Sequence, residues 1–273
     1  MSTVVITGGT DGIGRALATH HLRQGDTVVV VGRSRPKFDA LVAAVGGTPH
    51  FVAADLRLAR ESLRVVADLR SRFRVIDVLV LGAAYVHRDR SVTEEGFEHT
   101  FALYYLSRHV LAHGLAAELR AAPNPLVLDL TVPGAARDAI QWDDLQLTSG
   151  FSWRAANQQS RRAAELSALR LSGDIRCALW GPSGLVRTSL QGELGPVARP
   201  LTNALKATLG RPVEQAIAPL AALTAQPPAE PLTAHRGTRR IPLAIGEADH
   251  RDAARLHSET ERLLAPFRTA DPV

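Results

Sequence analysis

Short apolar runs alternate with amphipathic stretches along most of the chain. Thr3 to Ile6, Thr27 to Val31, His50 to Ala54, Val75 to Leu81, Leu126 to Leu130 and Ile175 to Trp180 each read as a buried strand. Between them the apolar positions recur at helical spacing, over Ile13 to Gln24, Pro36 to Val45, Leu58 to Phe73 and Ser152 to Leu171. Ser91 and Glu94 fit a capping box, which predicts a long helix from there to about Ala121, ended by Pro123-Asn124-Pro125. Beyond Thr188 the rhythm loosens at Gly192, Gly195, Pro196 and Pro200, before a short amphipathic piece from Leu201 to Leu209. A helix from Pro212, a strand near Arg239 to Ala244 and a last helix from Asp249 to Leu264 complete the pattern. Strand–helix alternation of this kind predicts an α/β fold, a doubly wound parallel sheet, with residues 1–273 as one domain. The segment at about 191–209 leaves the carboxyl edge of the sixth strand, where open α/β sheets bind ligands, and reads as a lid insertion.

Composition narrows the setting. At 45% apolar residues the chain has the make-up of a globular protein. The first strand starts too early to leave room for a signal peptide, and no apolar run reaches membrane-spanning length. Cys177 is the single cysteine and sits in an apolar run, as a buried hydrophobe would. A cytoplasmic protein, with no membrane partner, is the expectation. The formal charge of +5 comes mostly from scattered arginines, with Lys37 and Lys206 the only lysines. No basic arm or aromatic-interleaved basic stripe accompanies it, so no nucleic acid is expected as a partner. His109 and His113 stand at i,i+4 and could share a metal, but no Glu or Cys nearby completes a set; they read as packing histidines, and no metal site is expected.

The chemistry is concentrated in Thr7 to Gly14, TGGTDGIG, directly after the first strand. Gly8 permits a tight turn, Gly12 lets backbone approach a pyrophosphate, and Gly14 lets the next helix pack closely. That helix would aim its free N–H groups at the anion. A second strand follows, which makes the unit a Rossmann-type dinucleotide fold. Its second strand ends in Gly32-Arg33-Ser34-Arg35, with no carboxylate to take a ribose diol. Arg33 can fork onto a 2′-phosphate and Ser34 can donate to it, so NADPH is the expected cofactor.

With these motifs in order, the chain resembles the short-chain dehydrogenase/reductase superfamily over essentially its whole length. Thr93 to Leu106 and Ala156 to Ala164, with Gln159-Ser160, resemble its retinol-dehydrogenase-like branch. The resemblance implies cofactor contacts from Gly8, Thr10, Asp11, Gly12, Ile13 and Gly14, and from Asp55-Leu56 at the adenine. It adds Gly82 and Ala83 after the fourth strand, and Ser183-Gly184-Leu185-Val186-Arg187-Thr188 as the loop around the nicotinamide. The catalytic tetrad of the superfamily is missing. Tyr104 takes the place of its helix asparagine, Val132 of its serine, Asn157 of its tyrosine and Arg161 of its lysine, and no tyrosine follows Tyr105. Even the family's Asn-Asn-Ala-Gly is altered, to Leu81-Gly82-Ala83-Ala84. Asn157 and Thr131 remain as groups that can bond a substrate oxygen, and Arg161 as one that can hold ribose hydroxyls.

Asn157 supplies no proton, and losing a general acid costs roughly 10²–10⁴ in rate. Positioning a hydride donor against a carbonyl can supply about 7–11 kcal/mol. The missing acid is therefore tolerable for a ketone that a neighbouring phenol already polarises. The resemblance thus points to an atypical NADPH-dependent ketoreductase of an aromatic polyketide, like those acting on angucyclinones in antibiotic biosynthesis, with substrate-assisted protonation. A non-redox cyclase or isomerase on the same fold and a catalytically silent NADP-binding regulator stay open.

Overall fold

The computed structural model describes residues 1–85, 87–184, 186 and 212–268. The expected lid at about 191–209, and Thr188, lie outside the described residues. The strands in chain order are β1 (Thr3–Thr7), β2 (Thr27–Gly32), β3 (His50–Ala53), β4 (Val78–Leu81), β5 (Leu126–Asp129), β6 (Arg176–Gly181), β7 (Leu232–Arg236) and β8 (Arg239–Ile241). They form one sheet in the order β3-β2-β1-β4-β5-β6-β7-β8, parallel throughout except for β8, which returns antiparallel on β7. Val4, Val5 and Ile6 of β1, and Val28 to Val31 of β2, are buried on both faces. Helices cover both sides, as continuous β-branched runs require.

The helices are α1 (Gly12–Arg23), α2 (Arg35–Val45), α3 (Ala59–Arg72), α4 (His99–Phe101), α5 (Ser107–Gly114), α6 (Ala116–Arg120), α7 (Trp153–Leu171), α8 (Val213–Ala225) and α9 (Glu247–Arg268). A π-helical stretch, Ala102–Leu106, joins α4 to α5. Strands β2 and β3 extend the sheet one way from β1, whereas β4 onward extend it the other way. Connections therefore diverge between β1 and β4, and a crevice opens at their carboxyl ends.

Two elements differ from the sequence pattern. The helix expected from Ser91 starts at His99 instead. Residues 93–97 close a turn, with Thr93 N–H bonded to Phe97 O at 2.8 Å and Gly96 at φ 88°. The exposed Glu94 caps nothing there; the Glu98 carboxylate caps the helix, accepting from the N–H groups of Thr100 (2.9 Å) and Phe101 (2.7 Å). At the far end, the strand expected at Arg239 to Ala244 is only the short returning β8, and the parallel partner of β6 is Leu232–Arg236. Its sequence LTAHR lacks the apolar density of the other strands because it lies next to the sheet edge.

Candidate dinucleotide and substrate site

The crevice is lined by backbone that tolerates no extra atoms. Gly8 has φ 70°, and a Cβ there would meet the Cα of Ala83 at 2.9 Å. A Cβ on Gly82 would meet Thr7 O at 2.9 Å, and one on Gly14 would meet Gly8 O at 2.4 Å. Thr7 holds the two crevice walls together, because its hydroxyl accepts from the N–H of Gly82 (2.9 Å) and of Ala83 (3.2 Å). Gly12, at φ 51°, opens α1. Asp11 is its N-cap, accepting from Gly12 N–H at 2.8 Å, and the buried Thr10 and half-buried Ile13 flank the turn. Glycine cradle and helix N-terminus together fit the pyrophosphate of a dinucleotide.

The end expected to hold the adenosine is rich in charge. Arg33 is exposed beyond β2, with its guanidinium 5.6 Å from the centre of the Tyr85 ring. Ser34 caps α2, accepting from Lys37 N–H, and the Lys37 ammonium pairs with Asp11 at 2.5 Å. Asp55 is forked by Arg57, whose Nε lies 2.9 and 3.0 Å from its two oxygens. Burial alone would raise that carboxyl's pKa, but the Arg57 hydrogen bonds outweigh it and hold Asp55 below its usual range. Leu56 beside it is buried. Lys37, Arg57 and Tyr85 escaped the sequence reading. Lys37 had a signal, since three residues after an N-cap serine its backbone N–H bonds that cap; the other two are joined to the site only by folding.

Three of the residues expected at the tetrad positions, Val132, Asn157 and Arg161, lie on α7 and the loop before it. Asn157, Arg161 and Glu165 follow each other at i,i+4 along the helix. Arg161 donates to Val132 O at 2.5 Å and to Pro133 O at 3.4 Å. Glu165 accepts from the N–H of Gly134 (2.6 Å) and Ala135 (3.1 Å). Gln159 clasps the next stretch, accepting from Gln141 N–H and donating to Leu145 O, both at 2.9 Å. Val132 is therefore held rigidly where a serine is expected, although it brings no hydroxyl. The side chain of Asn157 is half-buried. The neighbouring Thr131 is buried. Burial also lowers the pKa of Arg161, and so does Arg236, which reaches the same Pro133 carbonyl at 3.3 Å. Arg161 still carries its charge at any ordinary pH and is no acid.

Behind this face, Tyr104 stands on the π-helical stretch with the Arg108 guanidinium 5.5 Å from its ring centre. Burial pushes the Tyr104 phenol up, so it stays protonated. Arg108 makes a fully buried ion pair with Asp129 at the end of β5. On the other side, Ser183, Gly184 and Val186 line a small cleft with Trp180 and Gly237. The Trp180 indole N–H donates to Gly237 O at 2.9 Å and ties the end of β6 to the β7–β8 turn. The histidine reading needs one correction: although no acid is near His109 in sequence, α9 brings His257 and Glu261 beside it.

Residues 2–124 match the short chain dehydrogenase family. A protein of Streptomyces sp. (strain C5) named as a daunorubicin C-13 ketoreductase is 36% identical over 196 residues, 69% of this chain and 67% of that protein. Human retinol dehydrogenase 13 is 27% identical over 179 residues, 62% of this chain and 53% of its own length. The chain thus spans only about half of that relative. Among solved structures, an uncharacterized protein from Mycobacterium paratuberculosis superposes with a TM-score of 0.70 at 23% identity, over 100% of this chain and 96% of that one. A short-chain dehydrogenase from Sphingobium yanoikuyae in complex with NADPH gives 0.61 at 20% identity, over 100% and 98%. At such identities the two structures speak for the fold alone. The Streptomyces relative, with the matched residues 2–124 and the glycine cradle at the β1–β4 crevice in agreement, places this chain in the short-chain dehydrogenase family.

Proposed function

We propose that the protein is an NADPH-dependent ketoreductase whose substrate is an aromatic polyketide ketone of the angucyclinone type. One observation carries the reading: an intact dinucleotide cradle faces a rigid α7 surface that presents Asn157 and Arg161 instead of a proton donor. The Streptomyces relative, named for an anthracycline ketone, supports the substrate class. Bound NADPH would supply the hydride. Asn157 donates its amide N–H to the carbonyl oxygen, and α7 and the 131–135 loop exclude water behind it. The proton comes from the substrate, through a phenol already hydrogen-bonded to the ketone, which polarises the carbonyl and reprotonates the alkoxide. Positioning worth about 7–11 kcal/mol then outweighs the roughly 10²–10⁴ in rate lost with a general acid.

The test follows NADPH absorbance with the purified chain and a set of phenolic polyketones. Ketones with a neighbouring phenol should be reduced, and their O-methyl ethers should not. Equal turnover of the ethers refutes substrate-assisted protonation. NADPH binding without turnover of any ketone would favour the regulator instead. Restoring the family residues, Asn157→Tyr with Arg161→Lys, should leave kcat on the phenolic ketone unchanged or lower, since it adds an acid that is not limiting; a large rise would contradict the proposal.

Cofactor choice gives a separate prediction. Arg33, with Ser34 and Lys37 beside it, faces the 2′-phosphate, so Arg33→Ala should weaken NADPH by about 1–3 kcal/mol, the scale of a charge-assisted contact. NADH affinity should hardly change. Calorimetric titration of both cofactors checks it, and equal affinities in the unaltered protein count against it.

A further inference from the structure

Away from the crevice, α5, α7 and α9 meet around a cluster of histidines. His109 is 1% exposed, and its Nδ1 lies 3.1 Å from the Ser167 hydroxyl on α7. The same hydroxyl lies 3.2 Å from His113 Nε2. The Ser167 hydroxyl has one proton and two lone pairs, so towards the His109 ring it either accepts or donates. If His109 is the donor, its Nε2 carries a bare lone pair facing the Glu261 carboxylate, 3.6 Å away. Two such electron pairs repel unless a cation stands between them. In the opposite tautomer Nε2 carries a proton, yet the carboxylate stays beyond hydrogen-bond reach. Either way, His109 Nε2 is buried without a hydrogen-bond partner, and so is His257 Nδ1.

His257 and Glu261 are one turn apart on α9 and therefore share a face. One ligand atom from each of His109, His257 and Glu261 falls within 4.8 Å of the others. Around a tetrahedral zinc with bonds of about 2.0–2.2 Å, ligand atoms sit roughly 3.3–3.6 Å apart, so the His109–Glu261 spacing already suits a shared ion. A side-chain rotation of the half-buried His257 or Glu261 closes the rest. We propose that His109, His257 and Glu261 bind one divalent transition-metal ion, Zn²⁺ in particular, which ties α9 to α5, with water in the fourth position. One further feature agrees with this. The Ser167 hydroxyl orients the His109 ring from behind, as outer partners of metal-bound histidines do. One competitor is built in: the half-exposed Arg268 donates to Glu261 Oε1 at 3.0 Å.

The experiment uses the untagged full chain, stripped with a chelator. It is titrated with Zn²⁺ by calorimetry and with Co²⁺ by visible absorption, where a tetrahedral site gives intense d–d bands. One equivalent should bind with Kd on the order of 1 μM or tighter. A hundredfold excess over Kd should raise the melting midpoint by about 5 °C or more. His257→Asn and Glu261→Gln, both at half-buried positions that leave the core intact, should each weaken Zn²⁺ at least tenfold. Ser167→Ala should weaken it about 10–100-fold. Arg268→Ala removes the competing cation and should tighten it. Absence of saturable binding, or binding that survives both His257→Asn and Glu261→Gln, overturns the proposal.

Discussion

Asp129→Ala should cost about 3–5 kcal/mol of stability, because it strands the buried Arg108 guanidinium without a counter-ion. Asp129 is 4% exposed and Arg108 also 4%, so water cannot take the place of either partner. The pair reaches from the end of β5 to α5, beneath Tyr104, and Arg108 also lies 3.4 Å from Ala83 O in the crevice. Burial pushes the Asp129 carboxyl pKa up in spite of Arg108, a sign that desolvation consumes much of the attraction. Replacing both partners by apolar residues, Arg108→Met with Asp129→Leu, should therefore recover most of the loss. Urea denaturation of the two single variants and the double variant measures this directly. A loss below about 1 kcal/mol in Asp129→Ala would mean that the pair is not desolvated as described.

β1, β2 and β4 could be read along the chain because each is a dense apolar run rich in β-branched residues and buried on both faces, a pattern few other structures produce. The reading failed where local signals competed with tertiary ones. Ser91 and Glu94 satisfy the spacing of a capping box, but Glu94 stays exposed while its neighbour Glu95 accepts from Ala59 and Arg60 N–H at the start of α3. The turn at Gly96 then delays the helix until Glu98 can cap it. The strand Leu232–Arg236 was missed because its one solidly apolar-packed partner, β6, lies more than fifty residues earlier in the chain.

The cradle was legible because its glycine spacing is a local signature: Gly14 must clear the Gly8 carbonyl six residues earlier, although the close approach of Gly8 to Ala83 appears only on folding. The site's electrostatics were not. Arg57 on Asp55, Lys37 on Asp11 and Arg108 on Asp129 are pairings of ordinary surface-type residues, and nothing in their spacing marks them. The same holds for His257 and Glu261 beside His109. The tetrad positions could be found by alignment to neighbours such as Gln159-Ser160, yet only the structure explains why Arg161 and Glu165 matter. They lock the 132–135 loop against α7.

Gly14→Ala should cost the protein both its cofactor and part of its stability. The added Cβ would lie 2.4 Å from Gly8 O, 2.9 Å from Gly8 C and 3.2 Å from Gly9 Cα, all of them backbone atoms. No rotamer change relieves such an overlap, so α1 must retreat from the loop or the loop must open. Forced overpacking of this kind typically costs about 1–3 kcal/mol. The retreat also carries the N-terminal N–H groups of α1 away from the pyrophosphate, and NADPH affinity should fall by at least about tenfold. Arg33→Ala provides the contrast. It lies on the surface beyond β2, so it should lower NADPH affinity while leaving the melting midpoint in place. Calorimetry and thermal unfolding on the two variants separate the cases. If Gly14→Ala keeps both its midpoint and its NADPH affinity, then α1 does not seat against Gly8 in the way that gives the crevice its shape.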